Sequence, residues 1–285
     1  LLAALNSDLF HGLMLCLTPE RKWEAGYIGR LPWFRELEND DRLEEMVKEQ
    51  HELFVQSRVH DPRSPYYIAP ELQPDSVDPD FRYSTHAHVK RLAEDAEDLF
   101  STGSADRTLE ELARRGQQNR NRRRRRIESL AREIDDTVCD ILDVDNSTLE
   151  TIRQEIWLRT VEGPEDRDVP APEETSLGAT ELEEKVESLI HHLALRAVRR
   201  DEDGIIAIEP VDTEPDLLER LEREFEHAFG EYGRARMAEA DSLLGTKSAD
   251  EEAYPNLREW LEDDLFDYHV STFDRLWSTL PYLRP

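Results

Sequence analysis

Residues 114–126 read RRGQQNRNRRRRR, a stretch that contains eight arginines and no carboxylate. The chain of 285 residues is otherwise strongly acidic, with 65 Asp and Glu against 36 Lys and Arg and a formal net charge of −29. After the arginines, apolar residues recur at steps of three and four, the spacing of one helix face: Ile127, Leu130, Ile134, Val138, Ile141 and Leu142. The sequence therefore predicts one long helix, basic in its N-terminal half and buried along its C-terminal half.

The composition favours a protein adapted to high salt. Only five of the basic residues are Lys and 31 are Arg, and the sequence pI is about 4.6. A dense carboxylate surface stays hydrated in concentrated salt, which also screens the repulsion between like charges. An ordinary acidic cytosolic protein is the alternative. Cys16 and Cys139 lie in apolar helical patterns, so we expect small core residues and neither a disulfide framework nor a metal cluster.

The first seventeen residues are apolar, but Asn6, Ser7, Asp8 and His11 interrupt them. They lack the pattern of a signal peptide and are too short and too polar to span a membrane. We therefore expect a cytoplasmic protein with no membrane partner. The chain starts at Leu1 rather than at Met, so we also expect it to be a piece of something longer.

Periodicity predicts a mainly α fold along the rest of the chain. A buried helix is expected from Leu2, Leu5, Leu9, Leu13 and Leu17, and an amphipathic helix over residues 41–58. Proline-rich residues 61–80 are expected to be irregular. Capping-box patterns predict three helix starts: Thr108-x-x-Glu111, Ser147-x-x-Glu150 and Thr180-x-x-Glu183. A lone short strand is expected at residues 205–208, and helices are expected near residues 217–229 and 257–273.

Two segments are candidates for nucleic-acid contact. Residues 18–34, TPERKWEAGYIGRLPWF, are expected to form a short strand or turn with exposed basic and aromatic side chains: Arg21, Lys22, Trp23, Arg30 and Trp33. The alternative is that the aromatic residues, with Ile28 and Leu31, fill the core. The second segment is the arginine run itself, with candidate phosphate contacts at Arg122, Arg123, Arg125 and Arg126. Its alternative is pairing within the molecule, with acidic helices such as residues 181–187.

No familiar catalytic motif occurs in the sequence. It contains no GxGxxG or GxxxxGK[ST] nucleotide cradle, no GxSxG and no HExxH. His86 and His88 form a His-x-His pair without further ligands nearby, so we expect solvated histidines and no metal site. A stand-alone hydrolase therefore has no supporting set of residues.

Five segments together resemble a known family. In order they are LNSDLF (5–10), LTPERKWEAGYIGRLPW (17–33), EIDDTVCDILDVD (133–145), LALRAVRRDEDGIIAIEP (193–210) and YPNLREWLEDDLFDYHVSTF (254–273). This series resembles the C-terminal part of the PglX-type adenine-specific DNA methyltransferases of BREX phage-defence systems and the related fused restriction-modification enzymes. Residues 274–285 match the family poorly.

The resemblance implies a division of the chain into five parts. Residues 1–60 would be the small α+β end of a DNA target-recognition domain and a connecting helix, and residues 61–83 a proline-rich linker. Residues 84–162 would be a helical region with the arginine-rich helix, residues 163–178 an acidic linker, and residues 179–285 a C-terminal helical region.

The resemblance also implies a function without chemistry in this chain. The glycine-rich motif that binds S-adenosylmethionine in the family and its Asn-Pro-Pro-aromatic motif, which holds the flipped adenine, are both absent. We therefore expect the chain to bind no cofactor and to recognise double-stranded DNA as a scaffold. Its protein partners would be the N-terminal methyltransferase portion or other defence proteins. The alternative is a non-catalytic α-helical protein-interaction module or a decayed gene remnant.

Overall fold

The computed structural model describes residues 2–17, 25–38, 40–74, 105–160, 177–208, 214–248 and 253–278. These residues form the helices α1 (Leu2–Asn6), α2 (Asp8–Leu17), α3 (Ala25–Ile28), α4 (Asp41–Gln56), α5 (Leu109–Ile141), α6 (Asn146–Thr160), α7 (Ala179–Arg200), α8 (Leu217–Phe229), α9 (Gly233–Leu244), α10 (Pro255–Glu259) and α11 (Leu265–Ser278). A π-helical turn, Trp260–Asp264, connects α10 to α11. The fold is mainly α as predicted, with no β-strand in the described ranges.

The chain divides into two compact units that each combine distant segments. Unit 1 comprises Leu1–Val55 and Asn121–Thr175, and unit 2 comprises Gln56–Arg120 and Ser176–Pro285. Helix α5 therefore contributes residues 109–120 to unit 2 and residues 121–141 to unit 1. The division of the sequence into five consecutive parts stays a prediction. Residues 75–104 and 161–176, which contain the end of the first predicted linker and most of the second, lie outside the described ranges.

The arginine-rich helix is confirmed, and its start is fixed by the predicted capping box. The Glu111 carboxylate accepts from the Thr108 backbone N–H at 3.0 Å, and the Thr108 hydroxyl accepts from the Glu111 N–H at 3.1 Å. Leu130, Ile134 and Val138 are buried along the C-terminal half, as the periodicity requires. The two other predicted capping boxes are wrong. Asp145 caps α6 by accepting from the Thr148 N–H at 2.9 Å, and the N-cap residue of α7 is Gly178, which provides no side-chain cap.

Unit 1 has its core where α1, α2, α4 and the second half of α5 meet. The single buried helix predicted for residues 2–17 is partly wrong. The chain forms two helices separated at Ser7, so α2 buries a different face from the one that the leucine spacing predicts. The buried residues of α2 are Leu9, Phe10, Met14 and Leu15, whereas Leu17 is exposed. Cys139 is buried as expected, but Cys16 is exposed rather than a core residue. The expected α+β end is not seen here, since described residues 2–17, 25–38 and 40–60 form helices and turns.

Unit 2 has the larger core, which collects Leu72, the first turn of α5 and the apolar faces of α7, α8 and α9. The helix predicted near residues 217–229 is confirmed as α8, and α7 and α8 each bury an apolar face. Asp216 caps α8 by accepting from the Glu219 N–H at 2.8 Å. Arg196 of α7 is 1% exposed and pairs with Glu224 of α8 at 3.1 Å. Gly230 ends α8 with a φ of 58°, a conformation that glycine adopts without strain.

Two of the described segments of unit 2 are irregular. Described residues 57–74 form turns and extended chain without a helix, as the prolines predict, and residues 75–80 lie outside the description. The predicted strand at residues 205–208 is wrong. No described strand lies beside it; the Ala207 carbonyl instead accepts from the N–H of Leu217, the first residue of α8, at 2.8 Å. Among the described residues, no helix is long and apolar enough to cross a membrane.

Candidate nucleic-acid interface

Arg126, at the end of the arginine run, is bound to carboxylates. Its guanidinium donates to both oxygens of Glu49 at 2.7 and 2.8 Å and to Glu133 at 2.8 Å. The hydrogen bond from Arg126 lowers the pKa of Glu49, and the same bond raises the pKa of Arg126. Because Glu49 belongs to α4, this predicted DNA contact ties α4 to α5 within unit 1.

Three further arginines of the run also have carboxylate partners, and the first of them, Arg114, pairs with Glu110 one turn earlier in α5. Arg124 donates to Glu128 at 3.0 Å along the same helix. Arg120 pairs with Glu71 and, at 2.8 Å, with Glu181. The pairing expected with residues 181–187 is therefore made by Arg120, which precedes the block of five consecutive arginines. Part of the positive charge thus stabilises contacts inside each unit.

Three exposed arginines of unit 1 follow one line along α5. Arg122, Arg125 and Arg132 are exposed and are spaced by three and seven residues, with Ser129 between the last two. Since each residue turns the helix by about 100° and advances it by 1.5 Å, these positions share a face about 15 Å long. No carboxylate in the described ranges pairs with Arg122 or Arg132. Arg123 is half-buried and lies off this face.

The basic-aromatic segment is described only in its second half. Arg21, Lys22 and Trp23 lie outside the described ranges. Arg30 is exposed, and its guanidinium lies 5.5 Å from the centre of the Tyr27 ring. Trp33 is 42% exposed and donates its indole N–H to Glu38 at 2.6 Å. Leu31 does pack against the core of unit 1, so the core interpretation holds for Leu31 and not for Trp33.

A buried carboxylate that the sequence did not single out positions three helices of unit 1. Asp135 of α5 accepts from the backbone N–H of Asp8 at 2.6 Å, and Arg153 of α6 donates to Asp8 at 2.8 Å and to Asp135 at 3.3 Å. Burial and the nearby negative charge of Asp8 raise the pKa of Asp135 to about 6. The sequence signal for this buried carboxylate is the position of Asp135 directly after Ile134, one of the apolar residues of the predicted buried face of α5.

The described parts of the two candidate segments carry charged and aromatic side chains at the surface. The described residues contain no cluster of three or more side chains that could hold a metal ion, and His86 and His88 lie outside them. They also contain no strand followed by a glycine-rich turn of the kind that cradles nucleotide-like cofactors. No protein-family model, curated protein or solved structure matches the chain.

Proposed function

We propose that the chain is the DNA-recognition and scaffold portion of a site-specific adenine DNA methyltransferase of phage-defence or restriction-modification type, acting in the cytoplasm. Double-stranded DNA and the N-terminal methyltransferase portion, or other defence proteins, are its partners. The resemblance supplies the family. The observation that carries the DNA role is the exposed line of Arg122, Arg125 and Arg132 on one face of α5, in a chain of net charge −29.

The arrangement suits phosphates better than base edges. Arginines spaced along about 15 Å of one helix face can follow successive phosphates of one strand. Such contacts set position and orientation but carry no sequence information. The basic-aromatic segment with Arg30 and Trp33 provides a guanidinium and a ring that are also exposed on unit 1, and these side chains are the candidates for base contact. The α+β end of a recognition domain remains part of this proposal.

Salt-dependent DNA binding tests the arginine line. Replacing Arg122, Arg125 and Arg132 by Gln should lower the slope of log affinity against log salt by up to about 3, since each phosphate contact contributes about 0.9. Fluorescence anisotropy with a labelled duplex measures it from about 0.1 to about 1 M salt, where the screening length falls from about 10 to about 3 Å. A control variant replaces Arg199, Arg223 and Arg234, three exposed arginines of unit 2, by Gln.

Equal slopes for the wild type and the two variants would refute phosphate binding by the arginine line. A loss of slope in the unit 2 control alone would refute it as well, because the chain would then bind DNA through another surface. Circular dichroism of all three proteins in the same buffers shows whether a change in affinity reflects lost helix.

A protein-interaction module without a DNA role is the second candidate, and one observation favours it. Helices α2 and α6 form an open apolar groove of about 180 Å³, lined by Gly12, Leu13, Cys16, Ile152 and Ile156 among others. Trp157 and Leu158 of α6 are also exposed. Exposed apolar surface of this kind marks binding sites for other proteins. Light scattering in high salt tests it: a clean monomer that binds DNA would exclude self-association through this groove.

A further inference from the structure

A buried and a half-buried histidine ring connect the last helix to α7 through one hydrogen bond. The Nε2 atom of His191 in α7 lies 3.0 Å from the Nδ1 atom of His269 in α11. His191 is 4% exposed, and its ring also contacts Tyr268 and Phe273, with centroid distances of 5.1 and 6.2 Å. Phe273 lies 5.0 Å from the His269 ring as well. The described contacts of α11 with α7 are therefore centred on this pair.

The pair has a limited capacity for protons. A hydrogen bond between two ring nitrogens needs one N–H and one lone pair, so only one of the facing nitrogens carries hydrogen. One added proton can be accommodated if His269 donates and His191 takes the other neutral tautomer. A second added proton would place hydrogen on both facing nitrogens, and the bond would be replaced by repulsion between two adjacent cations, one of them buried.

Few other charged groups face the pair. On α7, Glu187 lies one turn before His191, and its pKa is raised by burial while it accepts from the Trp260 indole N–H at 3.1 Å. On α11, the pKa of Tyr268 is raised by burial, and Arg63 of the irregular segment lies close enough to act on it. His192, the neighbouring residue, turns instead to the Tyr67 hydroxyl, 3.0 Å away. None of these groups is a described hydrogen-bond partner of His191.

The last helix is also less firmly packed than the residues just before it. Residues 265–273 of α11 are half-buried or exposed, and Phe266 is 75% exposed, whereas Leu257, Trp260 and Leu261 just before them are buried. The π-helical turn Trp260–Asp264 separates these two parts. Segments with few buried contacts open at low free energy while the core remains folded.

We propose that the His191–His269 pair is an acid-sensitive contact which holds α11 on α7, and that the second proton taken up by the pair releases α11 while the core of unit 2 stays folded. Burial of His191, together with the charge of His269, lowers the pKa of His191 to about 4. A released His191 would regain a pKa near the ordinary value of about 6.5. The equilibrium constant for release of α11 therefore rises about tenfold for each unit by which the pH falls between these two values, and on the order of 100-fold in total.

Hydrogen exchange of the complete chain in constant high salt measures this release. After correction for the intrinsic pH dependence of exchange, backbone protection of residues 265–273 should fall on the order of 100-fold between about pH 6.5 and pH 4. Residues 186–194 of α7, which hold buried Leu189, Ile190 and Leu193, report the core and should remain protected.

Three variants separate the pair from general acid unfolding. His191→Phe keeps a ring against Tyr268 and Phe273 but cannot be protonated, so the pH step at residues 265–273 should disappear. His269→Gln leaves one titrating ring and should reduce the steepness of the step. His192→Gln is the matched control, because it removes a buried histidine of the same helix and should leave the step in place. The proposal is overturned if His191→Phe keeps the wild-type loss of protection at low pH. It is also overturned if residues 186–194 lose protection together with residues 265–273.

Discussion

Substitution of Gly116 by Ala gives a test in which helix propensity and packing predict opposite signs. Gly116 lies inside α5, where Ala would ordinarily stabilise an exposed helix by about 1 kcal/mol. In this structure a Cβ atom at Gly116 would lie 2.3 Å from the carboxyl carbon and from Oε1 of Glu71. Real Cβ atoms do not approach so closely, so the Glu71 carboxylate must move.

The Glu71 carboxylate cannot move without losing its partners. Glu71 is 7% exposed, accepts from the Lys185 ammonium at 2.5 Å and pairs with Arg120. Burial alone would raise the pKa of Glu71, but these two cations outweigh it and lower that pKa. Breaking a buried ion pair costs about 3–5 kcal/mol. Taking the lower value, because Arg120 is partly exposed, and subtracting the helix gain of about 1 kcal/mol leaves a net destabilisation of about 2 kcal/mol.

A double-mutant cycle isolates the contact. In a Glu71→Ala background the space beside Gly116 is empty, so Gly116→Ala should stabilise unit 2 by about 1 kcal/mol, a coupling of about 3 kcal/mol between the two positions. Urea unfolding followed by circular dichroism in constant high salt, with hydrogen exchange over residues 186–194, measures it. Gly26→Ala is the control, since a Cβ there meets nothing within 4 Å. A stabilising Gly116→Ala in the wild-type background would refute the reasoning.

Three further predictions concern contacts inside the units. Arg126→Gln should lower the melting temperature because it removes the bidentate bond to Glu49, whereas Arg122→Gln, at an exposed arginine of the same run, should not; differential scanning fluorimetry compares the two variants. Thr108→Ala should cost about 1 kcal/mol of helix stability through the lost cap, while Ser147→Ala should cost less than about 0.5 kcal/mol because a different residue caps α6. The pKa of Asp135 is raised to about 6, so the stability that its protonated form contributes is complete below about pH 4 and is lost as pH rises through 6. Asp135→Asn should remove this part of the pH dependence of the urea midpoint, and an unchanged pH dependence would contradict the prediction.

Local sequence patterns determined the helices. The capping box at Thr108 and the apolar steps from Leu130 to Val138 predict both the start and the buried face of α5, because helix formation depends on neighbours within four residues. Helix α9 was missed, since its apolar pattern is weak apart from Met237 and Ala240. At residues 205–208, by contrast, the local pattern is strong but the predicted strand does not form. β-Branched apolar residues favour a strand, but a strand also needs a partner, and no pattern within the segment shows one.

Only the tertiary structure decided what each arginine does. Arg122 and Arg126 belong to the same run and carry the same charge, yet one is exposed and the other is bound to Glu49, 77 residues earlier. Glu71 likewise meets Arg120 and Lys185, which are distant from it in the sequence. Helix periodicity fixes the angle at which a side chain leaves its axis, but the carboxylate on that side comes from whichever segment packs there. The sequence by itself therefore determined the long basic helix, and the packing of the chain around it selected which arginines remain on the surface.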